Sequence, residues 1–263
     1  MSRVALGIEY NGSRFHGFQS QPSGVTTVQQ CLDSALSTIA DETVITVCAG
    51  RTDAGVHATN QVVHFDTLAQ RSDNAWLRGA NSQLPDDISI RWAKVVTPQF
   101  HARFSATSRC YRYLIHCCST PSALLNRQVA WQRRPLNILS MQAACECLVG
   151  EHDFSAFRAA QCQSKRPFRY VEAIDIDQRG DFIVIEITAN AFLYHMVRNI
   201  VGVLIPIGLG ETPVEWCQQV LNSRDRRQAG VTAAASGLYL VAVDYPGEFN
   251  LPIPAKGPYI YHS

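Results

Sequence analysis

The chain has 263 residues, 46% of them hydrophobic and 17% charged, with a net charge of +1. This is enough for one large domain or two ordinary ones with a sizeable core. It excludes a global basic field as the means of attracting a polyanion. Of the 23 basic residues, 20 are arginine, whose planar fork suits phosphate and stacks on bases. The nine cysteines form no CxxC pair, and the closest spacings are Cys117–Cys118 and Cys145–Cys147. That argues against a zinc site or a disulfide framework and for reduced thiols in a cytoplasmic protein. The opening MSRVALGIEY carries Glu9 and has no long apolar run, so no secretory signal is expected.

Taken in chain order, RVALGIEY alternates as a strand. TTVQQCLDSALSTIA has Val28, Leu32, Ala35, Leu36 and Ile39 at helical spacing behind Thr26 or Thr27 as N-cap. TVITVCAG and NQVVHFDT read as strands on either side of a turn at 51–55. RSDNAWLRGANSQL is predicted helical with Ser72 or Asp73 as cap. ISIRWAKVV is a strand with Ile88, Ile90 and Trp92 on one face.

The second half repeats the order. SATSRCYRYLIHCC is a strand, and LNILSMQAACECLVG is a helix ending at Gly150. FRYVEAIDIDQRGDFIVIEITAN is a hairpin turning at Arg179–Gly180. AFLYHMVRNIVGVLIPIG is a helix, and RDRR at 224–227 follows another and is expected on its C-terminal carbonyls. GLYLVAVDY is the last strand, and the tail after Pro246 is expected to be irregular. FLYHMVRNIVGVLIPIG is interrupted by His195, Arg198 and Asn199 and is short for a membrane span, so a buried helix is expected. Two β-α-β-β-α-β orders predict an α+β fold of two tandem ferredoxin-like halves, 1–100 and 101–263. They are expected to form an extended antiparallel sheet with helices on one side and a basic cleft between the halves.

The segment CAGRTDAGVHATNQVVHFD, 48–66, holds Arg51, Thr52 and Asp53 between Gly50 and Gly55. Asp beside Gly commonly caps a turn. A carboxylate fixed by a neighbouring arginine stays ionised and can serve as nucleophile or base. Arg198 is the one fixed charge in an otherwise apolar helix. It needs either a partner carboxylate or a route for its head to solvent. Tyr111 shares a strand face with Arg109 and Tyr113. His57, four residues after Asp53, is expected to be a structural hydrogen-bonding histidine.

GRTDAGVHATNQVVHF resembles the catalytic segment of the tRNA pseudouridine synthase A family. GIEYNGSRFHGFQ, FHARFSATSRCYRY, EHDFSAFRAAQCQSKRP, NAFLYHMVRNIVGVL and GLYLVAVDYP resemble further blocks of that family, in its order. The resemblance implies that Asp53 is the catalytic aspartate, in isomerisation of uridine to pseudouridine at tRNA positions 38, 39 and 40. It implies Tyr111, Arg198 and Leu238 as substrate-binding residues, Tyr111 and Leu238 against the uracil and Arg198 as the basic residue beside Asp53. An isomerisation implies no cofactor and no metal. Attack on C1′, addition to C6 and abstraction of the 2′ proton are all open to one carboxylate.

The target uridine lies in the anticodon arm, so it must leave the stack. The residues expected to bind RNA and assist flipping are Arg51, Arg71, the run Phe100, His101, Ala102, Arg103 and Phe104, and the run Gln161, Cys162, Gln163, Ser164 and Lys165. Arg14, Arg166 and Arg169 are further candidates for phosphate contact. Cys110 departs from the basic residues common at that point of the family. The partners implied are tRNA and a second copy of the chain in a homodimer, with no membrane. An RNA-binding module without chemistry is the competing reading, and activity lost on replacing Asp53 separates the two. A metal-dependent nuclease lacks a second carboxylate at useful spacing.

Overall fold

The computed structural model describes residues 1–22, 24–258 and 260. The tail expected to be irregular after Pro246 holds a 3₁₀ turn at Gly247–Phe249 and is otherwise irregular as far as Pro258, and Tyr259 and 261–263 lie outside the described residues. Ten strands and four α-helices among the described residues make an α+β fold. No helix among them is long and apolar enough to cross a membrane.

The chain divides into two compact units, Met1–Thr107 with Tyr239–Ile260, and Ser108–Leu238. This partition differs from a break at residue 100 for two physical reasons. Phe100 and Ala102 are wholly buried in a cluster with Ala5, Ala49 and Val62. The last strand also hydrogen-bonds within the first unit.

In the first unit, β1 (Ser2–Tyr10) pairs antiparallel with β3 (His57–Thr67) on one side and β4 (Ile88–Val96) on the other. β2 (Val47–Cys48) pairs antiparallel with β3. β10 (Leu238–Asp244) runs parallel to the start of β3, with Tyr239 opposite His57 and Leu240 opposite Ala58. β2 is shorter than its sequence suggests. Side chains of α1 (Val28–Ala40) take its backbone groups instead. Thr46 donates to Asp33 Oδ1 at 2.9 Å, and Gln29 Nε2 donates to the Thr46 carbonyl at 2.8 Å.

α1 starts at a capping box. Thr27 Oγ1 accepts from the Gln30 amide, and the Gln30 side chain accepts from Thr27 N–H, which satisfies two of the helix's orphan donors. Its buried face is Val28, Leu32, Ala35 and Leu36. The helix expected at 71–84 is only a short helical stretch with a π-helical segment, Ala75–Gly79, capped by Ser72 Oγ at the Ala75 amide, 3.2 Å.

In the second unit, β5 (Ser108–Cys117) pairs antiparallel with β9 (Phe182–Ala189), which pairs with β8 (Phe168–Arg179), which pairs with β7 (Gly150–Asp153). β6 (Ala130–Gln132) runs parallel to β5. α2 (Ile138–Cys145) ends earlier than expected, because a 3₁₀ turn at Glu146–Leu148 follows it and Gly150 already opens β7. α3 (Met196–Gly208) buries ten of its residues, as expected of an apolar helix, but starts only after His195, whose φ is 62°. α4 (Trp216–Ser223) ends at Arg224, also left-handed. The RDRR run does not dress α4's end with its side chains. Arg226 reaches the Ala229 and Gly230 carbonyls, and Arg227 binds Asp225.

Candidate active site

Asp53 sits half-buried in the turn leading into β3, and its backbone is held from two directions. Its carbonyl accepts from Val56 N–H at 3.1 Å, closing the turn. One residue earlier, the Thr52 carbonyl accepts from Phe18 N–H at 3.0 Å, and the Thr52 hydroxyl meets the Tyr10 hydroxyl at 2.8 Å. Gly17, at φ 90°, lies so close that a Cβ there would stand 2.8 Å from the Thr52 carbonyl oxygen and 3.3 Å from the Ala54 nitrogen. Only glycine suits both that backbone and that approach. His57 Nδ1 accepts from Gly12 N–H at 3.0 Å, and its ring stacks on Tyr239 with centroids 4.6 Å apart. This is the structural histidine expected. Residues 10–18 thus form a collar on the Asp53 turn.

Arg51 is exposed beside this turn. Burial pushes the Cys48 thiol up to about 11, while Arg51 and Arg103 both pull it the other way. The same thiol therefore feels two arginines that lie far apart in sequence. Arg103 and Phe104 are exposed, Phe104 at 76%, with the Arg103 guanidinium 5.5 Å from the Phe104 ring centre. His101 is half-buried beneath them. Phe100 and Ala102, expected at the RNA, are 0% exposed. Their part is to anchor the loop: Phe100 packs against Tyr245 and Phe249, and Ala102 fills the cluster. Arg71 is exposed, and its Nε donates to the Ile39 carbonyl in the last turn of α1 at 3.1 Å. Arg14 lies 3.3 Å from Asp87.

In the second unit, Tyr111 sits on β5 opposite Ile187, 7% exposed, its ring edge-on to Phe192 at 5.0 Å. Two residues on, the Tyr113 hydroxyl donates to the Ala234 carbonyl at 2.9 Å, and burial holds its phenol well above the usual range. Arg109 donates to the Asn190 carbonyl at 3.0 Å. Cys110, on the opposite face of the strand, is buried.

Arg198 on α3 is half-buried. Its Nε donates to the Ala233 carbonyl at 2.8 Å, its Nη1 lies 3.3 Å from His195 Nε2, and its own carbonyl accepts from Ala233 N–H at 3.1 Å. The segment carrying Ala233 is pressed onto α3, and a Cβ on Gly202 would stand 1.9 Å from the Val231 carbonyl. Asn199 Oδ1 accepts from Arg226 and Thr232, and its Nδ2 donates to the Phe157 carbonyl at 2.8 Å. Leu238, 6% exposed, follows the 3₁₀ turn Ala235–Gly237 at the start of β10.

The run 161–165 is a surface loop. Gln161, Gln163 and Lys165 are exposed, while Cys162 and Ser164 are half-buried. Arg158 donates to the Cys162 carbonyl, and Tyr194 N–H donates to its sulfur. Burial pushes the Cys162 thiol up, but the Tyr194 and Ser164 amides and Arg158 outweigh it and leave it below the ordinary range. Arg169 is turned inward onto Ser164 Oγ and the Arg166 carbonyl, and Arg166 is exposed.

Sequence reasoning missed the Tyr10–Thr52 pair, the Asn199–Arg226–Thr232 network and His64, which supports the 100–105 loop. Tyr10 and Asn199 lie inside apolar runs, but Thr52, Arg226 and Thr232 lie in turn or charged segments that give no sign of these bonds.

A half-buried acid in a pinned turn and an exposed arginine–aromatic pair lie in the first unit, and a recessed tyrosine and a half-buried arginine in the second. The family model described as tRNA pseudouridine synthase matches residues 7–105 and 144–246. A tRNA pseudouridine synthase A from Pseudomonas aeruginosa is 54% identical over 259 residues, 98% of this chain and 91% of that protein. One from Coxiella burnetii is 54% identical over 259 residues, 98% of this chain and 99% of that protein. A Cbf5–Nop10–Gar1 complex contains a chain that aligns with 92% of this chain and 49% of its own length, at 13% identity and TM-score 0.38. The chain belongs to the tRNA pseudouridine synthase family.

Proposed function

We propose that this protein isomerises uridine to pseudouridine at positions 38, 39 and 40 in the anticodon stem-loop of tRNA, with Asp53 as nucleophile after the base is flipped. The observation that carries the reading is the near-complete relationship to proteins named tRNA pseudouridine synthase A. The N1–C1′ bond breaks, a C5–C1′ bond forms, N1 takes up a proton and the C5 proton leaves to solvent. Asp53 acts on the ribose or the uracil. Tyr111 stacks against the uracil and takes the C5 proton, Leu238 supports the ring, and Arg198 supplies the cation that keeps Asp53 ionised. Arg51 and the Arg103–Phe104 pair take the place of the extruded base, which costs a few kcal/mol to unstack. Gln161, Gln163 and Lys165 contact the backbone, supported by their exposure. Arg71 contributes only the part of its guanidinium not spent on α1.

The tandem ferredoxin-like architecture belongs to the same proposal. It is supported in the first unit by the strand order β4-β1-β3 with β2 on β3. A basic cleft, a homodimer and a cytoplasmic location are supported by family membership.

The test is tritium release from tRNA transcript labelled at C5 of uridine, with wild type beside Asp53→Asn. Release by the wild type alone is expected. Release by the variant removes Asp53 as nucleophile, and release by neither removes the isomerase reading.

A further inference from the structure

The loop that carries Arg103 and Phe104 has no regular secondary structure, yet every amide from His101 to Ser105 is claimed, as are several of its carbonyls. Arg3 Nη1 donates to the Pro98 and Phe100 carbonyls at 2.7 and 2.8 Å. The Tyr245 hydroxyl donates to the Ala102 carbonyl at 2.7 Å. Ser105 Oγ accepts from His101 N–H at 3.0 Å, and Ser105 N–H donates to the His101 carbonyl at 2.9 Å. The remaining three amides go to two imidazoles. Ala102 N–H donates to His64 Nδ1 at 3.1 Å, and Arg103 and Phe104 N–H donate to His101 Nδ1 at 3.1 and 3.2 Å. The His64 and His101 rings lie 4.7 Å apart, and the His101 ring lies 4.3 Å from Phe104.

A ring nitrogen that accepts must keep its lone pair, and a protonated imidazole donates from both nitrogens. The loop as built therefore needs both histidines neutral, with the proton on Nε2. The arginines that face them agree, while Asp66 opposes them at His64. Arg3 from β1 and Arg103 from the loop lie beside His101, and Arg3 with Asp66 lies beside His64. Desolvation is the largest cause holding both imidazoles below their ordinary range, His64 at about 4.

We propose that His64 and His101 are positioning residues for tRNA, which aim Arg103 and Phe104 through paired Nδ1 acceptors. This rests on the reading that Arg103 and Phe104 contact RNA. Its consequence runs against the usual electrostatic trend. Protonating a histidine ordinarily tightens binding to a polyanion. Here protonation of His101 expels two amides, so acidification below the ordinary imidazole value of 6.5 weakens tRNA binding.

The test compares wild type, His101→Ala and His101→Asn for tRNA affinity and for kcat at saturating tRNA, from about pH 7.5 to about pH 5.5. Amide exchange at Arg103 and Phe104 is followed in parallel. The Asn side-chain oxygen accepts where Nδ1 does and does not titrate. The wild type is expected to lose affinity on acidification. His101→Asn binds like wild type at neutral pH without that loss. His101→Ala binds about tenfold more weakly throughout, exchanges faster at both amides, and loses more in affinity than in kcat. Wild-type affinity and exchange in His101→Ala, or an acid loss that persists in His101→Asn, overturns the proposal. Arg103→Ala separates the two readings. If it binds tRNA as wild type does, the RNA-contact reading fails, and the exchange data alone then decide whether His101 sets the loop.

Discussion

The Tyr10 and Thr52 hydroxyls meet at 2.8 Å in a buried position, one residue before Asp53. They are separated by 42 residues in sequence. Tyr10 is the last residue of β1, so the bond ties the Asp53 turn to the central strand of its unit. Tyr10→Phe removes one partner and leaves the Thr52 hydroxyl buried without it. A loss of about 1 kcal/mol in urea unfolding is expected. A fall of several-fold in single-turnover rate is expected with it, because a small misplacement of a reacting group is costly. Unchanged rate with lowered stability would make Tyr10 a purely structural residue.

Gly17 tests the collar from its other side. An alanine there adds a Cβ at 2.8 Å from the Thr52 carbonyl oxygen and must also hold φ 90°. Gly24 is the control, with φ 71° and open space around its missing Cβ. Both alanine variants bear the left-handed backbone cost, about 1 kcal/mol. Only Gly17→Ala is expected to lose more than this, roughly 2–4 kcal/mol in total, and only it should lower kcat at saturating tRNA. Equal activity in the two variants would show that the close approach does not set Asp53.

The sequence made the local features readable and hid those built from distant contacts. α1 was legible because its cap and buried face lie within fifteen residues of one another. Asp53 was legible because glycines flank it and because the surrounding blocks resemble a family. The FHARF run was misjudged in part. Outside a strand or helix no period says which side chains point inward, and Phe100 and Ala102 point inward while Arg103 and Phe104 do not. Arg71 and Arg169 illustrate the same limit. Their guanidinium groups are drawn to carbonyls near by, the end of α1 for one and the Arg166 carbonyl for the other. β2 looked longer than it is because apolar alternation does not reveal that α1 side chains take its hydrogen bonds.

Asn199 holds the segment against which Arg198 leans. It is fully buried, binds Phe157, Arg226 and Thr232, and follows Arg198 directly in α3. Asn199→Ala leaves the Arg226 guanidinium and the Thr232 hydroxyl each short of an acceptor. A loss of about 2–3 kcal/mol is expected. Ala233, the carbonyl partner of Arg198, lies one residue beyond Thr232, so activity should fall more than tRNA affinity does. Thr232→Val removes only one of the two donors and should show the same split to a smaller degree. A drop in affinity with kcat intact would detach this network from the chemistry.

His64 makes the first unit sensitive to acid, and the sign is fixed by its shift. Burial holds its imidazole at about 4, below the ordinary 6.5, with His101 and Arg3 pushing the same way. Between these values the unfolded chain binds a proton that the folded protein does not. Stability is then full above pH 6.5 and is lost as pH falls toward 4, by up to about 3 kcal/mol. Asp66, held below the usual carboxylate range by its bond to Arg3, loses its own contribution only at still lower pH. His64→Asn keeps an acceptor for the Ala102 amide and removes the titration. Urea unfolding followed from neutral pH down to about pH 4.5 should therefore show a steep fall for wild type and a shallower one for the variant. Parallel slopes would place the acid sensitivity elsewhere in the chain and leave His64 with its bond to the Ala102 amide and its packing against His101 and Phe100.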